Sequence, residues 1–359
     1  MMRASWLEAR DESWARRVAL SPLLPLSWLY GGAASLHRWL SARGVLRRRR
    51  LAGHVISVGN LVVGGTGKTP LAAWLAYELH RRGRKVALAS RGYGRSGGGP
   101  VSVVSDGRYV RGRAETDGDE PMVLAARAAG VPVLVGRDRG VVGLHAFAAF
   151  GAEVLILDDG FQHHRLHRDV DIVSFDGRNG LGNRHVLPRG PLRESIRALR
   201  HADAIAVLDG PLRPEDASLV AKWAPTARRL AVRRRTTGLR ALSGGRGESA
   251  EVLRGAEVGL LAGLANPASF RRSLEGLGAR VVAERHFPDH HAYAPRDLAG
   301  LEGEAPLWVT TEKDSVKILP TWVGGADVRV LTLSLEVDEP GPLLDWIESR
   351  LRASPSSSR

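Results

Sequence analysis

The chain contains no cysteine. That absence excludes disulfides, thiolate metal sites and cysteine nucleophiles. Lysine is nearly missing as well: only Lys68, Lys85, Lys222, Lys313 and Lys317 occur among 52 basic residues. Genome composition accounts for such a bias, and it makes each remaining lysine worth inspecting. Acids are in deficit, 38 against those 52 cations, for a net charge of +14. A surplus of that size suggests a polyanionic partner: nucleic acid, anionic lipid or a phosphorylated substrate. No long apolar run stands clear of helix breakers. The best candidate, the uncharged stretch between Arg17 and Arg38, contains Pro22, Pro25 and Gly31-Gly32, and barely reaches the ~20 residues of a spanning helix. What is present is ordinary for a folded protein, with 43% hydrophobic and 25% charged residues, so a fibrous or wholly disordered chain is excluded. At ~100–200 residues per domain, the length predicts two domains, or one large α/β domain with additions.

The positive charge is unevenly placed. Residues 1–50 carry ten Arg and three acids, and four of the nine Trp (Trp6, Trp14, Trp28, Trp39). Trp and Arg flanking an apolar stretch is the composition of a membrane-interface anchor. An interfacial helix, an interfacial helical hairpin and a soluble hairpin packed on the core all fit it. Acids before the apolar run, with no small-residue cleavage site after it, argue against a cleaved signal peptide.

From residue 54 short apolar runs alternate with amphipathic stretches. Strands are expected at 54–58, 85–89, 131–135, 153–157, 170–175 and 203–208, with helices at 68–82, 120–129, 139–149 and 192–200. Such alternation predicts a mainly parallel α/β sheet with crossover connections. Residues 211–256 break the rhythm and read as a linker in which Leu230 to Leu242 form a strand pair. Alternation resumes with strands at 257–263, 280–284, 307–311 and 328–335, and helices at 267–276, 295–302, 312–319 and 340–352. The expected layout is a membrane-associating helical region over 1–50, a first α/β core domain over 51–210, the linker over 211–256, a smaller α/β domain over 257–352, and a disordered tail over 353–359.

The most specific signal is Gly64-Gly65-Thr66-Gly67-Lys68-Thr69 between a strand and an amphipathic helix, the context of a Walker A phosphate loop. Glycines let backbone N–H groups curl around phosphate oxygens at a helix N-terminus. Lys68 would bridge the β- and γ-phosphates of ATP, and the Thr69 hydroxyl would bind Mg²⁺. Val62 stands where the strict pattern has glycine. The second acidic element, Ile156-Leu157-Asp158-Asp159-Gly160, has the Walker B form. A strand places a carboxylate at the sheet's carboxyl edge, so Asp158 or Asp159 would hold Mg²⁺, while a turn cap is the structural alternative.

Other polar clusters carry less specific information. Ser90 to Arg95, with Tyr93, suits a phosphosugar or nucleotide contact, or an ordinary surface loop. Thr116 to Pro121 reads as a capped helix start or as a carboxylate base for a hydroxyl nucleophile. Gly182 to Glu194 carries three Arg on a Pro/Gly-stiffened loop that could hold a phosphate. In Phe287 to Tyr293, Asp289 could polarise the His290 imidazole, with a metal site as the rival. Thr310 to Lys317 holds two of the five lysines, but Asp314 follows Lys313 directly, so the guanine-reading N/T-K-x-D motif is absent.

In this order, VGNLVVGGTGKTP, SRGYG, GDEP, DDGFQHHRLHRD, LGNRHVLPRGPLRE, NPASF, FPDHHAY and TTEKDSVK resemble the tetraacyldisaccharide 4'-kinase family of lipid A biosynthesis, across about residues 50–320. The resemblance implies a P-loop lipid kinase. It would pass the γ-phosphate of ATP to the 4'-hydroxyl of a tetraacylated glucosamine disaccharide 1-phosphate, giving lipid IVA at the cytoplasmic face of the inner membrane. It further implies that Asp119 matches the family's proposed catalytic base and His290 the histidine assisting it, with Asp289 alongside. Lys68 and Thr69 match the phosphate loop, and Asp158 and Asp159 the Walker B pair. Tyr93, Arg139, Gln162 and His163 fall on positions lining the substrate site. The expected chemistry is direct in-line transfer, with the two halves closing on ATP to exclude water.

The alternatives are a basic P-loop ATPase or GTPase switch that binds nucleic acid or a partner protein, and a membrane scaffold with a vestigial site. RNA-binding signatures are missing from the sequence. The clustering of charge beside an apolar, Trp-bearing segment favours an anionic lipid surface as partner over nucleic acid.

Overall fold

The computed structural model describes residues 12–92, 95–264 and 266–353. Two helices come first, α1 (Trp14–Ala19) and α2 (Leu24–Ala42). The next elements are β1 (His54–Asn60), α3 (Lys68–Arg81), β2 (Val86–Ser90), β3 (Ser102–Asp106), α4 (Ala114–Asp117), α5 (Asp119–Arg127), β4 (Pro132–Val135), α6 (Arg139–Phe150), β5 (Val154–Asp158), β6 (Val170–Asp176), β7 (Ala204–Leu208) and α7 (Pro214–Trp223). The last are β8 (Arg228–Ala241), β9 (Glu257–Ala262), α8 (Pro267–Gly276), β10 (Arg280–His286), β11 (Trp308–Thr311), α9 (Glu312–Ser315), β12 (Val328–Val337) and α10 (Pro340–Ala353).

All twelve strands join one sheet in the order β10-β9-β11-β12-β8-β7-β6-β1-β5-β2-β4-β3. Every pairing is parallel except β12 with β8 and the edge pair β3 with β4. A parallel sheet needs apolar cover on both faces, and the strands supply it: β1, β2, β5 and β6 are buried almost without interruption. On one face Leu71, Leu75 and Leu79 of α3 and Leu343, Leu344 and Ile347 of α10 pack on Ile56, Val58 and Leu88. On the other, Val142 and Ala146 of α6 pack on Val55, Ala87 and Leu155.

Residues 228–241 form a single 14-residue strand, in place of the strand pair expected there. Its first residues pair in parallel with β7, Ala204 facing Arg228, and most of its length pairs antiparallel with β12. That strand carries the sheet without interruption into the elements of the C-terminal part. Three further differences have local causes. The edge strand β3 escaped the sequence because it is short and half-exposed. The helix expected at 192–200 shrinks to a 3₁₀ turn over Ile196–His201. The Arg193 N–H instead bonds the Leu61 carbonyl, and the Pro191 carbonyl accepts from Val63. Residues 295–303 form two 3₁₀ turns where one helix was expected.

Helix α2 is amphipathic in the opposite sense to a core helix. Its buried residues are Ser27, Arg38 and Ser41, while Trp28 (70% exposed) and Leu29 (71% exposed) face outward with Leu26, Leu36 and Trp39. Among the described residues, no helix is long and apolar enough to cross a membrane. Trp6 and the tail residues 354–359 lie outside the described residues.

Candidate active site

In an open parallel sheet, ligands collect beyond the carboxyl ends of the strands. Here β1, β5, β2 and β6 lie side by side and end together. The segment after β1 is tied down before it turns. Val62 is buried and bridges Leu192, and the Val63 N–H bonds the Pro191 carbonyl at 2.8 Å. The residue that departs from the Walker pattern therefore packs in an extended anchor and not at a tight turn. The turning is done by Gly64 (φ 132°) and Gly67 (φ 73°), backbone conformations that a side chain resists. Asn60 Nδ2 donates to the Val62 carbonyl at 2.7 Å and to Thr66 Oγ1 at 2.9 Å. Thr66 is thus fixed from within, and Ser174 Oγ lies 3.1 Å from the same hydroxyl. Helix α3 opens at Lys68, aiming its first N–H groups and partial positive charge into the loop.

The two acids after β5 take different partners. Asp158, fully buried at the strand end, accepts a hydrogen bond from Thr69 Oγ1 at 3.1 Å. Burial, with the negative charges of Glu120 and Asp159, pushes its carboxyl up to about 7 against the pull of Lys68. Such a group is unfavourable as a bare anion and favourable beside a cation. Asp159 sits in the left-handed region (φ 58°) and pairs with Arg193 Nη1 at 2.9 Å and Lys68 Nζ at 4.0 Å. Burial raises its carboxyl, but Lys68 and Arg193 more than offset that and hold it low.

A second ionic cluster gathers at the start of α5, whose Glu120 is near enough for its charge to act on Asp158. Asp119, the first residue of α5, is buried. His290 Nδ1 lies 2.9 Å from its Oδ2 and 3.1 Å from its Oδ1. Lys313 Nζ donates to Asp289 Oδ1 at 2.6 Å and lies 3.3 Å from His290 Nε2 and 3.8 Å from Asp119. Lys317 Nζ lies 3.9 Å from Asp119 and 2.9 Å from the buried Asp314. Burial raises the Asp119 carboxyl, yet the His290 hydrogen bond and the two lysines hold it below the ordinary value. Asp119, His290 and Asp289, which the family resemblance linked, thus meet in one cluster. The two lysines in it had no role in the sequence reading. The signal available for them was the scarcity of lysine: Lys68, Lys313 and Lys317 are three of only five.

The remaining sequence candidates divide. Arg139, at the start of α6, is buried with its Nε unpartnered. Burial and the neighbouring Arg91 lower its proton affinity while Asp158 and Asp159 raise it, which places it beside the acids. His163 is held neutral, at about 4, chiefly by burial and then by Arg139, and its Nε2 has no partner. Gln162 uses both ends of its amide on protein, donating to the Asn60 carbonyl at 2.9 Å and accepting from Arg193 at 3.4 Å. Tyr93 lies outside the described residues. Arg193, on the Pro/Gly-stiffened loop, was not singled out individually from sequence.

Next to Arg193, Glu194 points the other way, into a buried pair with Arg38 of α2. Arg38 Nε and Nη2 donate to the carboxylate at 2.6 and 2.9 Å. The guanidinium also covers the Phe161 ring, 4.5 Å from its centroid. Nearby, Ser27 Oγ donates to the Val186 carbonyl at 2.5 Å. The N-terminal helix is therefore bolted to the loop that presents Arg193.

Over most of its length the chain is similar to known proteins. The family model described as "Tetraacyldisaccharide-1-P 4'-kinase" matches residues 19–352. A tetraacyldisaccharide 4'-kinase of Dechloromonas aromatica (strain RCB) is 42% identical over 356 residues, 98% of each chain. One of Anaeromyxobacter sp. (strain Fw109-5) is 42% identical over 329 residues, covering 89% of this chain and 88% of the relative. Among solved structures, the "apo" form of LpxK from Aquifex aeolicus in complex with ATP is similar with a TM-score of 0.78 and 32% identity, covering 93% of this chain and 99% of that one.

Proposed function

This chain belongs to the tetraacyldisaccharide 4'-kinase family, and on that premise we propose how its site performs the transfer. The reaction is ATP-dependent phosphorylation of the 4'-hydroxyl of a tetraacylated glucosamine disaccharide 1-phosphate, a step of lipid A synthesis. The switch that binds nucleic acid or a partner protein is not favoured. The observation that carries the mechanistic reading is the hydrogen bond from Thr69 to Asp158 at the mouth of the phosphate loop, with the Asp119–His290 pair at the start of α5.

In this reading the amides from Gly64 to Lys68 and the Lys68 ammonium bind the ATP phosphates. Thr69 and Asp158 would hold Mg²⁺. The donor set fits: a hydroxyl and a carboxylate that burial leaves short of a cation are hard oxygen ligands, and Mg²⁺ takes its remaining ligands from phosphate and water. Mg²⁺ would neutralise charge on the β- and γ-phosphoryl oxygens. Asp159 keeps Lys68 and Arg193 in place. Arg139, a buried cation with an unmade hydrogen bond, suits a phosphate oxygen.

Asp119 accepts the 4'-hydroxyl hydrogen bond and aims that oxygen at the γ-phosphorus in line with the leaving group. A carboxylate held low is a weak base, but the loose transition state of phosphoryl transfer asks more for positioning than for early proton removal. His290 steadies Asp119 from the other half of the sheet, and closure of the halves over ATP limits its hydrolysis. The outward apolar face of α2, with Trp28 and Leu29, docks on the anionic cytoplasmic leaflet of the inner membrane as a peripheral anchor. Residues 51–210 form the P-loop core domain and 257–352 the smaller one, except that α10, at the end of that range, packs back on the core.

The test is incubation of the pure protein with γ-labelled ATP, Mg²⁺ and the acylated disaccharide 1-phosphate in detergent. Labelled lipid is expected, and it should vanish in Lys68→Ala. No labelled lipid, or undiminished labelling in that variant, would overturn the reading.

A further inference from the structure

We propose that Lys313 is a positioning residue: its ammonium caps Nε2 of His290 and so keeps the imidazole neutral, with the Nδ1 proton directed at Asp119. The inference rests on the kinase reading above and assigns a role to a residue that reading does not use.

The argument is one of donors and acceptors. A carboxylate can only accept, so His290 Nδ1, 2.9 Å from Asp119 Oδ2, must carry a proton. That leaves Nε2 either protonated or with a free lone pair. An ammonium can only donate, and Lys313 Nζ sits 3.3 Å from Nε2. The contact is a hydrogen bond if Nε2 is bare and a head-on repulsion if it is protonated. A carboxylate such as Asp289 favours the imidazolium, but its Oδ1 is engaged by Lys313 at 2.6 Å. Its Oδ2 stays 3.8 Å from Nε2, beyond a direct hydrogen bond.

Among the described residues, charged groups that face the ring include Asp119 of α5, Asp289 beside it, Lys313 of α9, and the Lys317–Asp314 pair behind. Removing Lys313 leaves three carboxylates facing one lysine and an imidazole, and a second proton, taken from solvent, then binds Nε2 while Nδ1 keeps its own. The position of Lys313 is itself fixed. Thr311 caps α9 through a hydrogen bond from the Asp314 N–H to its hydroxyl at 3.1 Å, and His290 is held in the left-handed region (φ 62°). With a neutral imidazole, Asp119 keeps its full charge for the substrate hydroxyl. An imidazolium would share that charge in a salt bridge and blunt its pull on the hydroxyl hydrogen.

The experiment compares wild type, Lys313→Met, Lys313→Arg and the double variant Lys313→Met/Asp289→Asn. Two readouts are used: ¹⁵N NMR of the histidine ring nitrogens, with His290 assigned through His290→Gln, and the pH dependence of kcat. In wild type at pH 7, His290 should show one pyrrole-type and one pyridine-type nitrogen. In Lys313→Met it should appear as imidazolium. The acidic limb of kcat should rise by about one pH unit, a tenfold loss at its foot, with both KM values within about twofold and activity recovered at higher pH. Lys313→Arg should keep the wild-type limb, and the double variant should return toward it. An imidazolium already present in wild type at pH 7, or a ring and limb unmoved in Lys313→Met, overturns the inference. If Lys313→Met does not fold, a displaced limb in Lys313→Arg overturns it instead. Wild type that labels no lipid would fail the kinase reading alone, since the ring nitrogens still decide the role of Lys313.

Discussion

Replacing Arg38 with Met keeps the length of the side chain and leaves Glu194 buried without its cation. The size of the effect follows from Glu194. Burial alone would raise its proton affinity, yet hydrogen bonds from His164 and Arg38 hold the carboxyl at about 2, against an ordinary 4.5. At about 1.4 kcal/mol per pH unit that net difference, to which His164 contributes as well, is worth about 3 kcal/mol; losing Arg38 removes part of it and leaves the cost of burial unopposed, which keeps the expected loss at the lower end of the ~3–5 kcal/mol for one partner of a buried pair. The sign is that of a depressed acid. The stabilisation is fully present above 4.5 and is lost as pH falls through about 2. Urea denaturation followed by tryptophan fluorescence should therefore show Arg38→Met about 3 kcal/mol less stable than wild type at pH 7, with the gap closing between pH 4.5 and 2. The double variant Arg38→Met/Glu194→Gln, which buries no charge, should recover most of the loss. The same substitution should weaken ATP binding, because Glu194 is the backbone neighbour of the Arg193 that grips Asp159. A loss below about 1 kcal/mol, or a gap that persists unchanged at pH 2.5, would refute the reasoning.

Further outcomes follow from other parts of the site. Gly67→Ala puts a Cβ on a left-handed residue and against Leu208 Cδ2; it should cost roughly 1–3 kcal/mol in a thermal or urea melt and abolish nucleotide binding. Gly65→Ala meets open space and should leave the melt unchanged while ATP affinity, read by calorimetry, falls. Asp158→Asn removes a carboxyl whose proton affinity burial has raised to about 7. That penalty on the folded state grows as pH rises from about 4 to 7, so the variant should be more stable than wild type at pH 8 without Mg²⁺, by ~2 kcal/mol or more, and inactive. Trp28→Glu with Leu29→Glu should release the protein from anionic vesicles in a sedimentation assay without lowering its melting temperature, since both side chains face outward.

Much of the nucleotide half was legible in the sequence because local rules govern it. Gly64 to Thr69 between an apolar strand and an amphipathic helix leave few alternatives, and the strand-end acids after residue 157 follow the same grammar. Less could be read where partners come from afar. The split roles of Asp158 and Asp159 depend on Arg193, 34 residues on from Asp159, and the union of Asp119 with His290, which spans 171 residues, was expected only through the family resemblance. The stretch at 192–200 looked helical because its apolar spacing fits, but pairing of Arg193 with Leu61 outweighs that propensity. The Arg-rich segment Leu230 to Leu242 reads as a strand pair. Cross-strand pairing with β7 and β12 keeps 228–241 one strand. The polar buried face of α2 carries no sequence mark of its own, since Ser27, Arg38 and Ser41 find their partners only in the folded chain.

The central claim is that binding of ATP and activation of the acceptor hydroxyl are done by separate groups, the phosphate loop and Asp119. The direct measurement is the split between ATP dissociation constant and kcat for lipid labelling in Asp119→Ala. The account predicts a fall in kcat of roughly 10²-fold or more with ATP affinity within a few-fold of wild type; near-normal turnover, or a loss of ATP affinity that matches the loss of kcat, would contradict it.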